Sequence, residues 1–159
     1  MQYINNTVRR QDRLMDERRA MQLLHTAEYG VLSMVSEGSG YGIPVNFVFD
    51  GDHSIYIHCA PEGRKLEAIK ANKNVSLCVV GHVKLLPSKF TTEYESAIFF
   101  GEAQIGLSED ERMHALQLLI NKMGKIITMP DFLKFRYTQR TGSWLSIITL
   151  IAYVLTKVS

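Results

Sequence analysis

Residues 55–66 read IYIHCAPEGRKL, in which a strand pattern leads through a turn into a helix pattern. The β-branched and aromatic residues at its start predict a strand that ends near Cys59. Pro61 and Gly63 then interrupt the strand with a turn. The charged and apolar residues that follow predict a helix over 62–71, with Arg64 and Lys65 in its first turn.

The start of that helix suits an anion. Unpaired backbone N–H groups and the positive end of the helix dipole both lie there. Arg64 offers a planar fork that binds phosphate through two hydrogen bonds, Lys65 adds a compact charge, and Gly63 permits close approach. The same three residues would also suit an ordinary solvated helix face, so this short motif alone leaves both interpretations open.

Short strands and a few helices account for the rest of the pattern. Strands are predicted over 30–36, 43–50, 54–59, 75–84, 97–105 and 144–155. Two more helices are predicted over 16–28 and 107–125, with Asp16 and Ser108 as N-caps, and a short helical turn after Pro130. The Asp50-Gly51 pair predicts a tight hairpin. Six strands in mainly antiparallel order favour one α+β domain over 1–159, mainly β, whose sheet closes into a small barrel.

Composition excludes several classes of partner. The chain has 159 residues, 46% of them hydrophobic and 21% charged, with a net charge of +2. No broad basic field is present, so we expect neither nucleic acid nor a membrane surface as a partner. The polar segment 1–19 lacks a signal-peptide core, and the apolar run 144–155 is too short to span a bilayer. With only two cysteines, the simplest setting is the cytoplasm.

No metal site or nucleophile pair is predicted. The histidines show no ligand spacing. His58 and Cys59 are adjacent on a strand and therefore point to opposite faces, which is poor geometry for a Cys–His pair. No GxGxxG motif follows a strand, so the sequence does not predict a Rossmann fold that binds a nicotinamide cofactor.

Five segments in succession resemble one family. They read IPVNFVFD (43–50), IYIHC (55–59), EGRKLEAI (62–69), NVSLCVVG (74–81) and FTTEYESAIFFGEA (90–103). In this order and spacing the chain resembles the pyridoxamine 5'-phosphate oxidase-related flavoproteins, and among them the nitroimidazole-resistance branch. The resemblance covers roughly residues 9–107.

The resemblance implies a six-stranded antiparallel split β-barrel with flanking helices, which binds FMN in a groove at a homodimer interface. In this interpretation Arg64 and Lys65 hold the phosphate, with Gly63 beside it. The other cofactor contacts that it implies are Pro44, Val45, Asn46, Phe47, Ile57, His58, Cys59 and Ser96. Partner contacts are expected from 97–100 and 45–47.

The function implied is an FMN-dependent oxidoreductase that passes electrons from NADH or NADPH to a small organic acceptor such as a nitroimidazole. The flavin carries the chemistry, so no catalytic residue is assigned. A non-catalytic flavin carrier or sensor, a pyridoxamine-phosphate-oxidase-like enzyme and a cofactor-free structural dimer stay open. The C-terminal segment 142–159 departs from the family pattern, which leaves the substrate undetermined.

Overall fold

The computed structural model describes residues 3, 4, 6, 8–123 and 148–153. Within them the chain forms three α-helices and seven strands. The helices are α1 (Glu17–Thr26), α2 (Arg64–Ala71) and α3 (Glu109–Met123). The strands are β1 (Tyr29–Ser36), β2 (Ser39–Asn46), β3 (Val48–Phe49), β4 (Ser54–Cys59), β5 (Asn74–Leu86), β6 (Thr91–Gln104) and β7 (Ile148–Tyr153). Short 3-10 turns occupy Gln11–Arg13 and Pro87–Lys89.

The strands form one antiparallel sheet in the order β2-β1-β5-β6-β7-β4-β3. Its two edge strands, β2 and β3, are separated in the chain by Phe47 alone. The sheet must therefore curl until its edges lie side by side. No ladder joins β2 to β3 among the described residues, so the cylinder stays open at this split. The predicted α+β fold of antiparallel strands is confirmed, whereas a closed barrel is not formed.

Two strand predictions need correction. The sheet has seven strands rather than six, because the run 43–50 is interrupted at Phe47 and gives both β2 and β3. The strand expected over 97–105 begins at Thr91, where it extends the hairpin with β5. Polar residues such as Glu93 and Glu95 hide this extension in the sequence. The helical turn expected after Pro130 lies outside the described residues.

Tight turns set the register of the hairpins. Glu37 and Gly38 both have positive φ, 53° and 75°, which closes β1 on β2 in two residues. At the second hairpin the Asp50 carboxylate accepts hydrogen bonds from the backbone N–H groups of the next residues, including Asp52 at 2.8 Å. Both turns keep apolar side chains on the inner face of the sheet.

The core lies inside the curled sheet. Its centre consists of side chains with almost no exposed surface: Leu24, Leu32, Phe47, Ile55, Ile57, Leu77 and Val79. The helix α2 covers one end of this core with Leu66 and Ile69. A second cluster lies where α3 packs through Ala115 and Leu119 on Val48 and Tyr56.

The predicted N-caps are confirmed: Asp16 accepts from the Arg19 N–H at 2.8 Å, and Ser108 from the Glu111 N–H at 3.3 Å.

The helix α1 is held against β5 and β6 by an ion pair and by close packing. Arg19 donates two hydrogen bonds to Glu95, one of them at 2.8 Å, and this lowers the pKa of that carboxyl. Gly81 on β5 leaves room for the contact. A Cβ at this position would lie 2.7 Å from Cγ of Glu95 and would also collide with Leu23.

We therefore expect Gly81→Ala to lower the free energy of unfolding by about 1–3 kcal/mol, the usual cost of overpacking. Gly40→Ala is the matched control, because a Cβ there meets nothing within 4 Å, and its effect should stay within about 0.5 kcal/mol. Urea denaturation measures both. Equal stability of the two variants would contradict the close packing of α1 on β5.

Candidate functional site

The turn between β4 and α2 presents an open helix start. Gly63 is the N-cap residue of α2 and has φ of 128°, a conformation that favours glycine. No atom of the described residues would lie within 4 Å of a Cβ at this position, so the backbone of Gly63 is open. The helix starts at Arg64, two residues later than predicted. A ligand can therefore approach the backbone of this turn closely.

Arg64 reaches back from α2 across the β1–β2 hairpin. Its Nε donates to the Ser36 hydroxyl at 3.1 Å, and its guanidinium lies 4.6 Å from the centroid of the Tyr41 ring. These contacts orient the guanidinium while leaving it exposed. We call Ser36, Tyr41, Arg64 and Lys65 the basic corner.

The basic corner is not neutralised from within the described part of the chain. The acidic residue of α2, Glu67, pairs instead with Lys70 at 2.8 Å. No described carboxylate lies within ion-pair distance of Arg64 or Lys65. Two neighbouring cations at a helix start, with an open approach, fit a phosphate group.

At the end of β4, three of the predicted contact residues differ in exposure. Ile57 is fully buried in the core, whereas His58 and Cys59 are half-buried. Burial raises the pKa of the Cys59 thiol, although nearby Lys65 acts in the opposite direction. Cys59 therefore remains a neutral thiol near pH 7, which makes it a poor nucleophile.

The edge strand β2 runs along the split in the sheet. Pro44 and Asn46 are exposed, while the side chains of Val45 and Phe47 point into the core and can meet a ligand only through their backbone. Pro44 suits an edge strand, because proline has no backbone N–H group that could donate a hydrogen bond to another strand. A shallow groove of about 360 Å³ lies at this end of β2, lined by Tyr29, Pro44, Val45 and Asn46.

The basic corner and this groove lie at opposite ends of the same strand. Tyr41 and Asn46 are five residues apart, roughly 17 Å along β2. The pairing of Val48 with Tyr56 also brings the end of β2 beside β4. Nine of the eleven predicted contact residues thus lie on β2, on β4 or at the start of α2, and Phe47 follows β2 directly.

Ser96 is the exception. It is exposed on β6 opposite Val80. Ser33 on β1 pairs with Ser76 on β5. This register places Val80 seven residue positions along the sheet from Ser36, which is roughly 23 Å. Ser96 is therefore remote from the basic corner of its own chain. The expected contact near the phosphate would therefore require a second chain and stays a prediction.

Sequence reasoning missed Ser36 and Tyr41. Both meet Arg64 only because the β1–β2 hairpin folds under α2, and Ser36 lies 28 residues from Arg64 in the chain. No local sequence motif predicts a contact between residues so far apart in the chain. Only the alternation of β1, which turns Ser36 inward, could have indicated it.

Several histidines have structural partners. The rings of His25 and Phe49 lie 4.9 Å apart, and those of His114 and Tyr56 lie 6.1 Å apart, both edge to face. Within the described ranges, no group of three His, Cys, Asp or Glu side chains is placed to hold a metal ion. None of the helices described here is long and apolar enough to cross a membrane.

Known structures share this fold. A proposed 5-nitroimidazole antibiotic resistance protein from Bacteroides thetaiotaomicron is 22% identical, with a TM-score of 0.68 over 89% of this chain and 81% of that one. A FAD-binding protein from Mesorhizobium loti is 18% identical, with a TM-score of 0.61 over 89% and 91% of the two chains. A FAD and haem binding protein from Mycobacterium smegmatis is 16% identical, with a TM-score of 0.60 over 89% and 67%.

At these identities the structural likeness shows the fold alone. No curated protein matches the chain significantly. The sequence profile of pyridoxamine 5'-phosphate oxidase, in contrast, matches residues 16–142, which is most of the chain. The resemblance found in the sequence is thereby confirmed, and the chain belongs to the pyridoxamine 5'-phosphate oxidase family.

Proposed function

We propose that the chain binds FMN and works as an oxidoreductase that reduces a small organic acceptor. The observation that carries this proposal is the basic corner, where Arg64 and Lys65 have no described carboxylate partner and meet an open helix start. The strip along β2 leads from this corner to the groove beside Asn46. Because Tyr41 faces the core side of β2 and Asn46 the outer side, an extended nucleotide would cross the free edge of this strand, with its phosphate at one end and its ring at the other.

FMN fits this corner better than FAD. The phosphate of FMN is a terminal monoester with two negative charges on one phosphorus centre, whereas FAD spreads two charges over two phosphorus centres that are joined by an anhydride bond. Two adjacent cations and the helix start match the higher local charge. The FAD-binding relatives support a flavin as the class of cofactor.

When bound, the flavin would accept a hydride equivalent from a reduced nicotinamide and pass the electrons to an acceptor. The residues of this chain bind and orient it. Arg64 and Lys65 hold the phosphate. The backbone of β2 offers hydrogen bonds to the polar edge of the ring, and Tyr29 and Pro44 line the groove. The name of the Bacteroides relative supports a nitroimidazole or another nitroaromatic compound as the acceptor.

A second candidate is a flavin-binding carrier or sensor without turnover. It is favoured by the names of two relatives, which state binding and no reaction. A pyridoxamine-phosphate-oxidase-like reaction is compatible with the family but has no contact in this structure that favours it.

We further propose that the chain acts as a homodimer. Beyond β1, the strands β5 and β6 continue as a two-stranded ribbon, and such ribbons are marginally stable alone in water. The outer face of this ribbon and of the adjoining sheet exposes large apolar side chains: Tyr29, Val80, Val83, Leu85, Tyr94, Ile98 and Phe100. Within 97–100, Ile98 and Phe100 face outward and Phe99 is buried. Ser96 is exposed opposite Val80 on the same outer face, so a second copy covering this face would bury it in the interface.

The phosphate assignment predicts that Arg64→Ala with Lys65→Ala weakens FMN binding at least about 100-fold. Each lost charge-assisted hydrogen bond costs roughly 1.5–3 kcal/mol. Riboflavin, which lacks the phosphate, should bind the variant and the wild type equally. Quenching of flavin fluorescence measures both ligands. Lys70→Ala is the control, since Lys70 is exposed on the same helix and paired with Glu67. Unchanged FMN affinity, or an equal loss for riboflavin, would refute the assignment.

The reaction itself is tested with FMN-loaded protein under anaerobic conditions. We expect NADH or NADPH to bleach the flavin absorbance and a nitroimidazole to restore it over repeated turnovers. Bound flavin that neither nucleotide reduces would favour the carrier or sensor instead.

The dimer predicts that Ile98→Glu with Phe100→Glu gives a monomer, because two carboxylates would enter an apolar interface. Sedimentation velocity measures this, and FMN affinity should fall with it. Met113→Glu is the control, since Met113 is an exposed apolar residue on α3, outside that face. A double variant that stays dimeric would contradict this interface.

A further inference from the structure

The buried face of α3 ends in a lysine. Ala115, Leu119 and Lys122 follow one another at helical spacing, so they lie on the same side of α3. The first two are almost fully buried against Val48 and Tyr56. Lys122 is half-buried. It therefore places a charge on the otherwise apolar face of α3.

Among the described residues, Phe47 is the hydrogen-bond and ring partner of the Lys122 ammonium group. Its Nζ donates to the Phe47 carbonyl at 2.8 Å and lies 4.0 Å from the centroid of the Phe47 ring. Burial lowers the pKa of Lys122. No carboxylate in the described part of the chain lies within ion-pair distance of it. A half-buried cation that is held by one neutral carbonyl and one ring is only partly compensated.

This cation lies at the ring end of the proposed flavin strip. Phe47 directly follows Asn46, which lines the groove, while the basic corner lies at the other end of β2. A flavin whose phosphate occupies that corner extends along β2 toward the Phe47 peptide. Lys122 itself does not line the groove, but its partly compensated charge would then lie near the ring, where negative charge would develop on reduction.

We infer that Lys122, held on the Phe47 carbonyl, is a charge-supplying residue that makes the site bind reduced FMN more tightly than it otherwise would. Reduction by a hydride adds two electrons and one proton to the oxidised ring, which gains one negative charge, and the donor becomes the oxidised nicotinamide. In this proposal Lys122 acts through its charge alone and transfers no proton, so it is not a catalytic residue. This inference rests on the proposed function.

The test compares the dissociation constants of oxidised and reduced FMN in the full chain under anaerobic conditions. Lys122→Met removes the charge, whereas Lys122→Gln removes the charge but keeps a donor for the Phe47 carbonyl. We expect both variants to lose about tenfold in relative affinity for reduced FMN, the size of a partly screened unit charge near the ring. For a two-electron couple this equals a midpoint potential lower by about 30 mV.

Two further variants separate charge from structure. Lys122→Arg keeps the charge and should restore the wild-type ratio within about twofold. Lys70→Met removes the same charge from the exposed, Glu67-paired position on α2 and should leave the ratio unchanged. A merely structural role of Lys122 would weaken both forms of FMN equally.

The outcomes are distinguishable. If wild type and Lys122→Gln bind FMN with the same ratio of the two constants, the role of Lys122 is overturned and the proposed function stands. If wild type binds neither form of FMN, the proposed function fails, and the inference fails with it.

Discussion

Phe47 is the single residue between the two edge strands of the sheet, and its covalent link governs the shape of the molecule. Strands β2 and β3 lie at opposite ends of a seven-stranded order, yet the chain passes from one to the other in two peptide bonds. The sheet can satisfy both facts only by curling. The buried Phe47 side chain fixes the junction from inside, and the curled sheet encloses the core around Ile55, Ile57 and Leu77.

The open split follows from that constraint and determines where a ligand can bind. The edge of β2 that faces the split offers backbone groups that no described strand pairs with, and Pro44 suits such an edge. Because α2 packs over the β1–β2 hairpin, Arg64 meets Ser36 and Tyr41 at one end of this edge. The groove beside Asn46 lies at the other end. The proposed binding strip therefore arises from the curling of the sheet.

The sequence predicted the local features of this arrangement and missed the long-range ones. The β4–α2 turn, Gly63 and the N-caps Asp16 and Ser108 are encoded within a few neighbouring residues, so pattern and propensity suffice to find them. The contact of Arg64 with Ser36 joins residues 28 apart, and that of Lys122 with Phe47 joins residues 75 apart. Such contacts depend on strand register and on helix docking. The ribbon was underestimated for a related reason, since its polar residues give no strand signal and its apolar side chains face outward.

The distribution of charge connects the fold with the proposed chemistry. Several cations of this chain meet carboxylates, as Arg19 meets Glu95 and Lys70 meets Glu67. The cations along the split behave differently, since Arg64 contacts a hydroxyl and a ring, while Lys122 contacts a carbonyl and a ring. A neutral partner orients a cation without cancelling its charge, so the field of each remains directed at the strip. Arg64 and Lys122 have no carboxylate partner among the described residues. An anionic ligand that spans β2 would then provide negative charge beside both of these cations.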